Sequence, residues 1–178
     1  MATYTEVGQA CSEAIIQAIS DTMVARGITD EPAYLSPIAG AALPIADACE
    51  GMVWARQAGT MPTDGSGAQF TAARWDWDVP AWAIPIEVGH LWCHQNITED
   101  GGFIEPAQEA TYAERDATWK ALVLEALAYR WRPVVGDLAG ALMGQSIGPW
   151  QPIGPDGGYS GGIVVVTVLS SGLLLCTG

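Results

Sequence analysis

The chain has 178 residues, with 7 Lys+Arg against 20 Asp+Glu and a net charge of −13. Seven scattered cations cannot line a phosphate-binding groove, which excludes tight nucleic-acid binding and disfavours anionic membrane surfaces. The apolar share is 49% and the charged share 15%, below the ~25% of an ordinary soluble domain. That specifies a folded chain with a largely uncharged surface, as when other protein covers part of it.

The length fits one domain over residues 1–178. Residues 6–26 form an amphipathic helix, with Val7, Cys11, Ala14, Ile15, Ala18, Ile19, Thr22 and Met23 at helical spacing and Arg26-Gly27 as its stop. Residues 28–47, punctuated by Pro32, Pro37 and Pro44, read as irregular. Residues 51–58 have strand character, and 59–79 form a projecting loop or edge hairpin that carries Arg74-Trp75-Asp76-Trp77-Asp78. Residues 82–94 read as a strand and 95–106 as a second projecting loop, polar and acidic.

Residues 107–131 form a second long helix, with Tyr112, Ala113, Trp119, Leu122, Val123, Ala126 and Leu127 as its buried stripe. Pro133 opens a short third helix that ends at Met143-Gly144. A glycine- and proline-rich stretch then pairs loosely before the final strand, and 171–178 is a C-terminal tail. The eighteen residues Gly161–Gly178 are uncharged, but Ser170-Ser171-Gly172 interrupts them and no cation flanks them. The β-branched run Ile163–Val168 therefore reads as a buried strand rather than a membrane span. This order predicts an α+β fold: a small mixed or antiparallel sheet packed on one face by two long helices, with extended loops. The N-terminus shows no basic n-region or apolar h-region, so no secretory signal is expected. Cys11, Cys49, Cys93 and Cys176 are widely spaced with no CxxC. They read as reduced and mostly buried, in a protein made in the cytoplasm.

Catalytic signals are thin. His90, Cys93 and His94 offer three potential metal ligands within five residues. Strand alternation sends Cys93 to the face opposite the histidines, leaving a partly exposed strand end with a buried thiol, and no further pair completes a zinc set. Gly144-Gln145-Ser146-Ile147-Gly148 matches GxSxG, but a nucleophile elbow needs a strand before the serine and a histidine after it. Gly158-Tyr159-Ser160-Gly161-Gly162 is superficially like the GDSGG of chymotrypsin-like proteases, with Tyr159 in place of the Asp; in both stretches glycine serves turns. The pairs Asp76/Asp78 and Glu99/Asp100 read as solvated loop acids rather than a glycosidase pair. No phosphate loop, dinucleotide fingerprint or EF-hand is present, so no catalytic residue, metal or cofactor is assigned. Of eight tryptophans, Trp75, Trp77 and Trp150 sit in Gly/Pro-rich stretches, where contact with other protein is the better reading.

Three stretches carry a resemblance. They are Asp47-Ala48-Cys49-Glu50-Gly51-Met52-Val53-Trp54-Ala55-Arg56, Ile86-Glu87-Val88-Gly89-His90-Leu91-Trp92-Cys93, and Gly148 to Gly162 leading into Val164-Val165-Val166-Thr167-Val168. Together they resemble neck proteins of long-tailed actinobacterial phages, of the head-to-tail connector or tail-terminator type. The resemblance spans about residues 47–170, with Tyr159 where a Cys is expected. It implies a non-enzymatic virion protein, made in the host cytoplasm, that forms a ring, expected to be six-fold. The ring would cap the head-proximal end of the tail tube, halt its polymerisation and join it to the head connector. Its partners would be further copies of itself, the major tail tube protein and the stopper or connector, with DNA passing through unbound.

Ring subunits close through heterologous interfaces, for which Trp75, Trp77, Trp150 and Tyr159 are the candidates. Part of the acidic excess, at Asp76, Asp78, Glu99, Asp100 or Glu105, is expected to line the channel, where negative walls keep DNA from sticking. The alternatives are a stopper or adaptor of the same neck, a cytoplasmic scaffold or binding module, and a small cytoplasmic hydrolase using Ser146, Ser160 or a carboxylate pair.

Overall fold

Two helices lie against one face of a mixed sheet of seven strands in the computed structural model, which describes residues 4–29, 31–38, 49–63, 81–94, 104–131, 142–156 and 158–171. The first helix, α1 (Tyr4–Arg26), buries Val7, Cys11, Ile15, Ala18, Ile19, Thr22 and Met23 of the stripe its sequence spacing predicts, with Ala14 half-buried against them. It stops at Gly27, whose φ of 67° lets its amide reach the Val24 carbonyl at 3.1 Å while Ile28 reaches Met23 at 3.0 Å.

Residues 28–47 are not wholly irregular. Tyr34–Ile38 form β1, which pairs in parallel with β2 (Met52–Gln57) from Tyr34↔Met52 to Ile38↔Arg56. Pro37 is tolerated because β1 is an edge strand, where a missing N–H can face away from the ladder. Strand β3 (Met61–Thr63) lies within the expected 59–79 loop, and the rest of that loop is outside the described residues.

The middle of the sheet is a pair of long strands, β4 (Ala81–Cys93) and β7 (Tyr159–Ser171), antiparallel from Ala81↔Ser171 to Cys93↔Tyr159. Each is flanked by two short strands end to end. β2 and β3 pair with β4, and β5 (Leu142–Ile147) and β6 (Gln151–Asp156) pair with β7. Leu142–Gly144, the expected end of a third helix, belong to β5; residues 132–141 lie outside the described residues.

Side-chain alternation gives the sheet two apolar faces. Val53, Ala55, Ile84, Ile86, Val88, Val164, Val166 and Val168 meet α1 and the second helix, α2 (Pro106–Glu125). Ile38, Met52, Trp54 and Leu91 form a second buried cluster on the other face. Helix α2 starts at a capping box, the Gln108 side chain accepting from the Glu105 amide at 3.3 Å, and closes in a π-helical turn, Ala126–Arg130. It buries Trp119, Leu122, Val123, Ala126 and Leu127 as expected, but Ala113 is exposed and Tyr112 only half-buried. The first three turns of α2 therefore stand largely uncovered, because the apolar repeat begins in earnest only at Trp119.

The cysteine reading is corrected. Cys49 and Cys93 form a disulfide, with Cα atoms 4.3 Å apart, Cys49 exposed and Cys93 half-buried. Only tertiary register makes the pair: Met52↔Leu91 brings the residues just before β2 to the end of β4. Cys11 is the buried free thiol that was expected, and burial pushes it up to about 11. Cys176 lies outside the described residues.

One position on β7 depends on having no side chain at all. A Cβ on Gly161 would collide with the His90 carbonyl oxygen on β4, a backbone atom that cannot yield unless the two central strands part. Gly161→Ala is expected to cost about 3 kcal/mol in denaturant unfolding, the upper end of overpacking. Gly59→Ala, with open space at its Cβ, is the neutral control.

Candidate functional site

The uncovered start of α2 and the β6–β7 hairpin form the walls of a cleft of about 480 Å³, with the ends of β4 and β7 as its floor. Glu109, Ala113, Asp116, Ala117 and Lys120 line the helix side, and Trp150, Pro152, Ile153 and Gly154 the hairpin side. The floor is His90, His94, Ser160 and Gly161. His90 and Ser160 share it because Trp92↔Ser160 and His90↔Gly162 are adjacent cross-strand pairs whose side chains rise on the helix face. His94 follows directly, its amide donating to the Gly158 carbonyl at 2.7 Å.

The floor holds several polar atoms without a hydrogen-bond partner. His90 is 0% exposed, and neither ring nitrogen is bonded. Ser160 Oγ and His94 Nδ1 are buried there in the same condition, as are Asp116 Oδ1 and Arg115 Nε on α2. Burial, reinforced by the Arg115 guanidinium, lowers His90 to about 3, so it is neutral at ordinary pH. Its ring stacks on Trp150 (centroids 5.3 Å apart, 25° between planes), and a Cβ on Gly162 would occupy the place of the Trp150 indole.

Arg115 fastens α2 to the end of β4. Its Nη2 donates to the Cys93 carbonyl at 2.9 Å, and its guanidinium lies 5.5 Å from the Trp92 ring and 5.1 Å from Tyr112. Burial lowers its pKa, opposed by Asp116 and Tyr112. Among the described residues, no three His, Cys, Asp or Glu side chains group to hold a metal ion, and no helix is long and apolar enough to cross a membrane.

The residues singled out in the sequence are distributed unevenly. Trp150 is half-buried against the core and walls the cleft, while Tyr159 packs half-buried against the cluster on the opposite face. Glu105 is exposed at the start of α2. Trp75, Trp77, Asp76, Asp78, Glu99 and Asp100 lie outside the described residues. The expected partly exposed strand end with a buried thiol is corrected: both histidines are buried, and the neighbouring Cys93 is half-buried and oxidised. Ser146 sits exposed on β5 and shares no site with a histidine among the described residues, whereas Ser160 shares the cleft with both. Sequence reasoning missed Glu109, Arg115, Asp116 and Lys120. The one available signal was Tyr112, Arg115 and Trp119 on a single helical stripe, an arginine among aromatics.

The three stretches that carry the resemblance meet in space. Cys49 bonds Cys93. Gly51, at φ 94°, leaves room for the Trp92 ring, and Gly89 leaves room for Trp54. Arg56 pairs with Glu87, Nη2 to Oε1 at 2.9 Å, while Trp54 Nε1 donates to the same carboxylate at 3.1 Å. Gly161 and Gly162 leave room for the His90 backbone and the Trp150 indole.

No protein-family model matches the chain, and no curated protein matches it.

Proposed function

We propose that this chain is a structural subunit of the neck of a long-tailed phage, the terminator that closes the head-proximal end of the tail tube as a ring. The observation that carries the reading is the mutual seating of the three motif stretches. Their Cys, Gly, Trp, Arg and Glu residues serve to bind β2, β4 and β7 into one rigid slab. A set of residues committed to rigidity suits a part that transmits load and holds a shape. The thin charge of 15% suits a surface shared with neighbours, and the acidic excess suits a conduit that DNA passes without sticking. The major tail tube protein and the head stopper or connector are the partners this role requires.

The test is imaging of phage particles in which the chain carries a small density tag. Tag density in a ring between the tube's last tube-protein layer and the connector is the expected result. Density confined to the connector side, out of touch with the tube, would make it a stopper or adaptor. Absence from particles would end the neck reading altogether.

A further inference from the structure

We propose that the cleft is a socket for a second copy of this chain, and that its occupant is the Tyr129–Arg130 corner at the far end of α2. The inference rests on the ring-subunit reading and names the contact that would build the ring.

The corner is conspicuous. Tyr129 is 78% exposed, and it ends the helix beside Arg130, also exposed. Arg26 is paired with Glu125, Arg56 with Glu87, and Arg115 donates to the Cys93 carbonyl. Lys120 lines the cleft itself. Among the described residues, Arg130 is thus the cation outside the cleft that has no acceptor.

The cleft supplies what that corner lacks. Glu109 and Asp116 face it against a single cation, Lys120, and Asp116 Oδ1 is buried with no donor. A guanidinium brings paired donors to such a carboxylate and is less strongly hydrated than an ammonium. The apolar wall of Trp150 and Pro152 suits an aromatic ring, and Ser160 Oγ and His94 Nδ1 lie unpartnered in the floor beneath it. A cleft of about 480 Å³ lies within the ~300–1,000 Å³ range of sites that enclose a multi-group ligand.

Socket and corner lie towards opposite ends of one helix, so they are different patches on the same subunit. A contact between them runs head to tail and repeats, and it closes into a ring when the rotation permits.

The test uses the full-length chain, with native mass spectrometry and sedimentation, alone and with tail tubes added. Wild type is expected to form species larger than a dimer. Arg130→Glu and Asp116→Lys should each weaken self-association at least 10-fold while keeping the wild-type melting temperature. Glu109→Lys, at an exposed site, serves if Asp116→Lys fails to fold. Mixing the two charge-reversed variants should restore assembly, because each then presents a corner that suits the other's socket. Variants that assemble like wild type would overturn the socket and leave the ring reading standing, as would a reciprocal dimer that grows no further alone but still caps tubes as a ring. A wild-type chain that stays monomeric and ignores tail tubes would overturn both.

Discussion

Cys49→Ser, Cys93→Ser and the double variant are expected to lose stability equally, and reductant should bring the wild-type chain to the same level. The bond joins residues 44 apart in sequence, and closing a loop of that length is worth about 4 kcal/mol in the chain-entropy model. For a chain of this size, that is a fall of about 10 °C in melting temperature. Equal effects are required because either substitution removes the same covalent constraint. The neighbouring strand pairs Met52↔Leu91 and Val53↔His90 are held by their own ladder, so the fold is expected to survive at lower stability. A reduced chain that melts with the oxidised one would show that the bond constrains nothing the sheet does not already hold.

His90 should make the protein acid-sensitive in a defined window. Its folded pKa, about 3, lies below the ordinary value of 6.5 because the ring is buried and faces Arg115. Between those values the unfolded chain takes up a proton that the folded chain refuses. The contribution of neutral His90 is therefore complete above pH 6.5 and is lost as pH falls towards 3. The slope is about 1.4 kcal/mol per pH unit for one proton. Unfolding curves between pH 4 and 7 should show one proton more in wild type than in His90→Phe, which keeps an aromatic ring beside Trp150. Parallel pH dependences in the two proteins would mean that His90 titrates normally in the fold.

How much of this was legible in the sequence depended on the range of each interaction. The α1 stripe from Val7 to Met23 and the β-branched run Ile163–Val168 declared themselves, because periodicity is local; α1 buries its stripe except for half-buried Ala14, and β7 buries Val164, Val166 and Val168 with half-buried residues between them. β1 did not, because Pro37 reads as punctuation until an edge position excuses it. The α+β class followed from element order, yet the disulfide did not, since nothing local links Cys49 to Cys93 before β2 and β4 are in register. His90 and His94 read as a partly exposed strand end, and packing against Trp150 and Tyr112 buries them instead. The cleft was invisible for the same reason, because it joins α2 to a hairpin some 40 residues further on, and Asp116 and Lys120 on their own are ordinary helix-surface charges.

The long pairing of β4 with β7 has a mechanical consequence. An antiparallel ribbon of thirteen residues per strand is about 43 Å long. Tension applied along its axis loads the rungs from Ala81↔Ser171 to Cys93↔Tyr159 in shear, all at once, instead of peeling them one after another. The disulfide rivets the Cys93 end of that ribbon to the start of β2. The molecule should accordingly be stiff to pulling along the strands and weak to pulling across them, so its resistance to force depends on direction.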